Sequence, residues 1–173
     1  MRTVGQTFIV VVICAILIRV FVLDSFILKG DSMAPTLRNN DYIFVGKLSY
    51  RLHSPQREDI VVTSIPSNPS KKIIKRIIGL PGERISIAQG KITIKNSRED
   101  AGTALEESYL TNLLIPTDVG ITNINLDPQE YFVLGDNRSI SIDSRELGPI
   151  NSWNIKGKVI FDFTLDNFSF KRF

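Results

Sequence analysis

The sequence predicts a mainly β chain, built of coiled antiparallel sheets, standing behind a single apolar N-terminal helix. Two observations carry that expectation. An apolar run extends from Thr7 to Leu23, long for a core helix and short of charge. Beyond residue 24 helical periodicity is scarce. Short apolar runs rich in β-branched and aromatic residues, bounded by turn formers, take its place.

The N-terminal element comes first. Gly5 to Leu23 gives 19 residues, close to the roughly 20 that span a hydrocarbon core about 30 Å thick. Gln6 lies near one end and Arg19 near the other, where an arginine reaches the headgroups along its own stem. The exit, Val20 to Leu28, offers no small-x-small cleavage pattern, so an uncleaved anchor is expected rather than a removed secretory signal. Only Arg2 and the α-amino group precede the run, while Arg19, Lys29 and Arg38 follow it. Charge therefore does not set its orientation.

Seven runs read as strands: Tyr42 to Val45, Ile60 to Thr63, Ile73 to Ile78, Arg84 to Ile87, Lys91 to Lys95, Glu130 to Leu134 and Lys156 to Thr164. Ile85 to Ile94 reads as a hairpin about the glycine-containing turn Ala88-Gln89-Gly90, and Pro81-Gly82 as a second turn. Leu48 to Arg51 and Ser54 to Asp59 read as connecting loop. Residues 96–127 are polar and irregular and read as a small excursion over the core. The expected organisation is an anchor segment over 1–23 and one β domain over 24–173.

Composition excludes several functions. The 173 residues are 43% hydrophobic and 23% charged, which suits a globular chain. Formal charge is +3, with both signs mixed along the sequence. Nucleic-acid binders instead gather Lys and Arg on one face, so no nucleic-acid partner is expected. The small basic excess suits anionic lipid headgroups better. Cys14 is the only cysteine and His53 the only histidine, so neither a disulfide within the chain nor a zinc site is expected. His53 sits in a polar loop-like stretch, Arg51 to Asp59, and is expected to face solvent.

Three segments carry chemistry. Ser32 lies in Gly30-Asp-Ser-Met-Ala-Pro-Thr-Leu37, a small-residue turn just downstream of the apolar run. A serine hydroxyl needs an adjacent base to act as a nucleophile. With histidine effectively absent, lysine is the ordinary alternative, provided burial displaces it from its usual pKa near 10.4. Lys75, in Lys71-Lys-Ile-Ile-Lys-Arg-Ile-Ile-Gly-Leu-Pro-Gly-Glu-Arg84, is flanked by Ile73, Ile74, Ile77 and Ile78. In a strand it shares a face with Ile73 and Ile77. Locally, an edge-strand lysine that opposes aggregation is the better fit. The third segment is Gly135-Asp-Asn-Arg-Ser-Ile-Ser-Ile-Asp-Ser-Arg145, where Ser141, Asp143 and Arg145 alternate with Ile140, Ile142 and Ser144. Extended, those three polar residues share one face; Arg138, Ser139 and Ser144 better suit an exposed polar surface.

In order, spacing and content these three blocks resemble the type I signal peptidase (leader peptidase) family, over about Phe8 to Phe163. The resemblance implies a signal-peptidase-like β fold and a membrane-bound serine endopeptidase with no cofactor or metal. Such an enzyme removes signal peptides from exported preproteins at small-x-small sites. It further implies Ser32 as nucleophile, Lys75 as general base, Ser141 orienting the lysine, and Asp143 with Arg145 as a supporting salt bridge. Leu28, Met33 and Ile74 become apolar walls for the substrate, while Leu37 suits core packing. Many members carry Ser or Thr two residues before the nucleophile as an oxyanion-hole donor. Here Gly30 stands there, leaving the Ser32 backbone N–H plus water or another backbone donor. The implied setting is a bacterial plasma membrane, with the N-terminus in the cytosol and a monomeric catalytic domain on the trans face. Thylakoid and organelle inner membranes are the alternatives. Two rival readings are a catalytically inactive membrane-tethered module that binds signal peptides or partners, and a self-cleaving Ser/Lys repressor-type protease. The anchor and the absence of a DNA-binding helix pair argue against the repressor reading.

Because no role falls to His53, His53→Ala is expected to keep peptidase activity within a few-fold of wild type in a preprotein cleavage assay. A loss as deep as that of Ser32→Ala would return the base assignment to histidine.

Overall fold

The computed structural model describes residues 2–17, 23–97, 100–110, 123–164 and 169–173. Helix α1 (Arg2–Leu17) presents Val4, Phe8, Ile9, Val10 and Val11 outward. At 16 residues it measures about 24 Å. No helix among the described residues is long and apolar enough to cross a membrane. The remainder of the expected span, 18–22, lies outside the described residues, and Leu23 already belongs to β1 (Leu23–Ile27).

After β1 follow β2 (Tyr42–Gly46), a helical turn α2 (Ser49–Leu52), β3 (Ile60–Ile65), β4 (Asn68–Gly79), β5 (Arg84–Ala88), β6 (Lys91–Lys95), β7 (Thr103–Ala104) and β8 (Asn123–Asn125). The chain continues through β9 (Glu130–Leu134), a second helical turn α3 (Ser144–Leu147), β10 (Ile150–Asn151), β11 (Ile155–Thr164) and β12 (Ser169–Arg172). Every run that reads as a strand forms one, because β-branched residues pack well on a pleated, half-buried surface. The short strands β1, β7, β8, β10 and β12 carry no such signal. Leu48 to Arg51, expected as loop, is mostly taken up by α2, whose Tyr50 hydroxyl donates to Asp59 Oδ2 at 2.9 Å.

The strands form two antiparallel sheets. The larger runs β1-β2-β11-β3-β4-β9-β10, with β12 on β11. The returning strand β11 is inserted between β2 and β3, so residues far apart in sequence share the sheet centre. Strand β3 is buried along its whole length. The smaller sheet runs β7-β6-β5-β8. Its β5–β6 hairpin turns at Gln89 and Gly90, with φ of 50° and 73°, the paired positive φ of a tight twisted hairpin. The expected excursion is thus partly built into this sheet, through β7 and β8; residues 98–99 and 111–122 lie outside the described residues.

Three apolar clusters hold the sheets. Leu28, Met33, Leu37, Ile43, Val62 and Ile74 pack beneath the serine-bearing turn. Ile77 packs with Val61, Tyr131, Val133 and Ile150. Ile78, Phe132 and Leu134 meet Ile85, Ile87, Ile92 and Ile94 of the smaller sheet. Strand β4 contributes to all three, and this explains why both its faces are apolar.

The sheets approach closely at Gly79, where a Cβ would stand 2.7 Å from Ile85 Cδ1 and 2.8 Å from Leu126 Cδ1. Overpacking a filled core costs about 1–3 kcal/mol. Gly79→Ala is therefore expected to lower the unfolding free energy by that margin, read as a lower urea midpoint. An unchanged midpoint would show that the two sheets separate freely there.

Candidate active site

Ser32 sits on a turn closed by its own backbone. Leu28 N–H donates to Asp41 C=O and Asn40 N–H to Leu28 C=O, each at 2.9 Å, fixing the base of the loop. Gly30 adopts φ +93° and its N–H donates to Asn39 Oδ1 at 2.9 Å. Side chains are strained at that φ, so glycine belongs there. Leu37 N–H donates to Met33 C=O at 3.0 Å, and both side chains are wholly buried. The turn is thereby nailed into the core while Ser32 stays half-buried at its rim.

Across from it, Lys75 is 2% exposed on β4. Its Nζ lies 2.7 Å from Ser32 Oγ and donates to Ile74 C=O at 2.9 Å. Burial of this depth rules out the exposed gatekeeper reading. It also disfavours the ammonium form and pulls the Lys75 pKa from 10.5 down to about 8. The Asp143 and Asp136 carboxylates pull it back up, and Arg145 pushes it further down.

The segment after β9 differs from the extended stretch expected of it. Asp143 caps α3, accepting from Arg145 N–H, and Arg145 folds back from within the helical turn. Its guanidinium is bidentate on the same carboxylate, Nε to Oδ1 at 2.9 Å and Nη2 to Oδ2 at 3.0 Å, with both residues buried. Gly135 N–H also donates to Asp143 Oδ2, at 3.0 Å. Ser144, expected on an exposed face, is buried and accepts from Val133 N–H at 2.9 Å. Arg138, likewise expected to be exposed, is buried against Glu107. Ser139 is exposed. Ser141 is buried, but among the described residues its Oγ bonds to neither Lys75 nor any other group. It rests against Gly135, where a Cβ would stand 2.1 Å from Ser141 Oγ and 2.5 Å from Ser32 C=O. Glycine at 135 lets this loop lie directly on the Ser32 backbone, and Asn137 N–H donates to Ser32 C=O at 3.0 Å.

Sequence reasoning missed a second layer of charge. Arg76, next to Lys75, is buried and bidentate on Asp136, Nε to Oδ1 at 2.9 Å and Nη2 to Oδ2 at 2.5 Å. Two signals were available: an arginine inside an isoleucine run, and an aspartate directly after an apolar strand. Glu107, paired with Arg138, and Tyr109, stacked on Arg76, carry no local signal.

A cleft of about 360 Å³ opens beside the pair, lined by Phe26, Leu28, Ser32, Val62, Ile74 and Lys75 among others. Leu28 and Ile74 line it. Met33 does not: it is wholly buried in the core under the turn, as is Leu37. His53 is exposed and lines a separate polar cleft with Tyr50 and Gln129. A hydroxyl and a buried amine at hydrogen-bond distance, opening on an apolar cleft, make a nucleophile–base pair suited to acyl transfer.

Comparison with known proteins agrees with that chemistry. The family described as "Signal peptidase, peptidase S26" matches residues 1–164. The chain is 35% identical over 165 residues to the probable signal peptidase I-2 of a Synechocystis strain, covering 92% of this chain and 71% of the relative. It is 35% identical over 161 residues to the signal peptidase I of Bacillus caldolyticus, covering 88% and 86%. Among solved structures, a signal peptidase I from Enterococcus faecalis superimposes with a TM-score of 0.51 at 30% identity, over 62% of this chain and 97% of that one. These relatives are named as peptidases, which supports neither the inactive-module nor the repressor reading.

The buried Asp143–Arg145 pair generates a stability test. Arg145→Ala leaves a buried carboxylate without its cation, a loss of about 3–5 kcal/mol. Asp143→Asn keeps the shape, while Arg145 Nη2 still donates to Arg138 C=O at 2.7 Å and Ser141 C=O at 3.2 Å. Urea unfolding is expected to show the milder loss for Asp143→Asn. Equal, near-zero effects would place the pair in solvent.

Proposed function

Because the chain belongs to the signal peptidase family, peptidase S26, and is a serine peptidase that cleaves signal peptides, we propose that Ser32 is its nucleophile and Lys75 its general base. The observation that carries this reading is the 2.7 Å separation of Lys75 Nζ from Ser32 Oγ in a setting that lowers the lysine pKa. The neutral amine takes the Ser32 proton as Oγ attacks the scissile carbonyl carbon. The protonated amine then returns that proton to the leaving nitrogen as the C–N bond breaks. An acyl-enzyme on Ser32 remains. Water, deprotonated by Lys75, hydrolyses it and restores both groups. Asp143 and Arg145 support the loop that lies on Ser32. Ser141, buried beside Gly135, acts through that loop. Leu28 and Ile74 form the apolar wall of the substrate cleft.

The oxyanion is met by backbone. Gly30 offers no hydroxyl, so the Ser32 N–H is the donor on this turn, helped by water or a further N–H. Each such donor contributes about 10²–10³ in rate.

The substrates on this reading are exported preproteins with small residues at alternate positions before the cut, since a shallow apolar wall excludes large ones. The N-terminal segment, 1–23, serves as the membrane anchor. Its outward apolar side chains and its position before the catalytic domain, 24–173, support that role. The enzyme works as a monomer on the trans face of a bacterial plasma membrane. Removing residues 2–22 is expected to release the protein from membranes under alkaline carbonate extraction; retention would refute the anchor.

Ser32→Ala and Lys75→Ala are each expected to abolish cleavage of a labelled preprotein without loss of fold, and the double variant to equal either single. Neutral amine accumulates as pH rises through the depressed pKa, so kcat/KM is expected to climb with pH about a midpoint near 8. Processing retained by Lys75→Ala would sink the assignment of the base.

A further inference from the structure

The segment after β7 does more than cover the smaller sheet. Tyr109 lays its ring over the Arg76 guanidinium, with Cζ 3.9 Å from the ring centroid. Its hydroxyl donates to Glu107 Oε1 at 2.5 Å, and Glu107 accepts in turn from both terminal nitrogens of Arg138, Nη1 reaching Oε2 at 3.1 Å. Arg138 continues inward, Nε donating to Gly135 C=O at 3.0 Å. Thus one short segment grips two points of the catalytic core. One is Arg76, the residue after Lys75 on β4. The other is the loop from Gly135 to Arg145 that lies on Ser32.

Both grips are dry. The Glu107 and Arg138 side chains are 8% and 1% exposed, and those of Arg76 and Asp136 are 8% and 1%. Burial and the Glu107 carboxylate hold the Tyr109 phenol well above its usual range, so the hydroxyl remains a donor. Burial opposes the Arg138 charge, yet its bond to Glu107 leaves the guanidinium more firmly protonated than usual.

We propose that Tyr109, seated by Glu107, is a positioning residue for the peptidase reaction: it shields the Arg76–Asp136 pair from water and so holds β4 and the Gly135 loop in register about Lys75 and Ser32. The proposal rests on the Ser32–Lys75 reading. Facing Lys75 are Ser32 from the turn and Asp136, Asp143 and Arg145 from the loop, while Arg76 follows it on the same strand. Without the ring, water reaches Arg76 and Asp136, burial of Lys75 lessens, and the ammonium form regains ground. The ring of a phenylalanine retains the stacking; an aliphatic side chain does not.

The test uses the full chain in detergent and a labelled preprotein, with Lys75→Ala as control. Tyr109→Leu is expected to lower kcat about tenfold, hold KM within about threefold, and move the rising limb of kcat/KM toward alkaline pH by roughly half a unit. Tyr109→Phe is expected to restore the limb and most of kcat. A merely structural tyrosine would lower the melting temperature and leave the limb in place. If Tyr109→Leu does not fold, Tyr109→Met, whose flexible side chain fills irregular gaps, decides on the same readouts. An unmoved limb with wild-type kcat in a folded ring-less variant overturns the proposal. Activity in Lys75→Ala instead overturns the dyad on which it rests, and the two failures are told apart by that control.

Discussion

Removing one lysine amine from water is the constraint around which this fold is organised. An ammonium is a poor base, and in solution it stays protonated far above neutral pH. Strand β4 takes Lys75 out of solvent by pairing with β3 on one side and, from Arg76 onward, with β9 on the other. The Ser32 turn closes the remaining side. Burial is the largest influence on the lysine, and it acts against the protonated form. The serine turn, the central strand and the glycine loop all meet at this point, although 43 residues separate Ser32 from Lys75.

Burial succeeds only because the nearby carboxylates are already matched. Asp136 and Asp143 each favour a protonated Lys75. Each is bound bidentately by an arginine, Arg76 and Arg145 respectively, and Glu107 is bound by Arg138. An unmatched carboxylate beside the amine would restore its charge. Such buried pairs contribute little net stability relative to apolar packing. Their value here is electrostatic: they let a loop rich in hydrogen-bonding groups lie on Ser32 without imposing its charge on Lys75. The arginines also bind backbone, as Arg145 does to Arg138 C=O and Ser141 C=O, so one set of side chains balances charge and fixes loop shape.

Much of this was legible from residues. Seven strands announced themselves through β-branched runs, and three blocks in order pointed to Ser32 and Lys75. What stayed hidden has physical reasons. A lysine among isoleucines locally fits an exposed edge better than a buried face, and only packing by distant elements decides which. The stretch from Ser141 to Arg145 alternates like a strand, yet Asp143 with Glu146 three residues on is an N-cap pattern, which points to a helical turn. That local signal outranked the alternation. Met33 was read as a wall because it adjoins Ser32; the turn points it into the core instead. Glu107 lies 31 residues from Arg138 in a polar segment, so no local pattern announced their pairing. The anchor reading meets a 16-residue helix followed by residues outside the description.

The cleft adds the final step. Residues 71–75 of β4 line it, and the ladder to β9 begins only at Arg76, while Phe26 to Lys29 at the end of β1 stand opposite. On the proposed reading, a peptide drawn into this space runs beside backbone of strand character, to which an extended form would offer its N–H and C=O groups. Successive side chains of an extended peptide point to opposite faces. On the proposed reading, alternate residues before the scissile bond therefore meet the same wall of Leu28, Val62 and Ile74. On that reading, only side chains small enough for the wall would bring the carbonyl carbon to Ser32 Oγ. A size preference with a period of two residues would then follow from strand geometry itself.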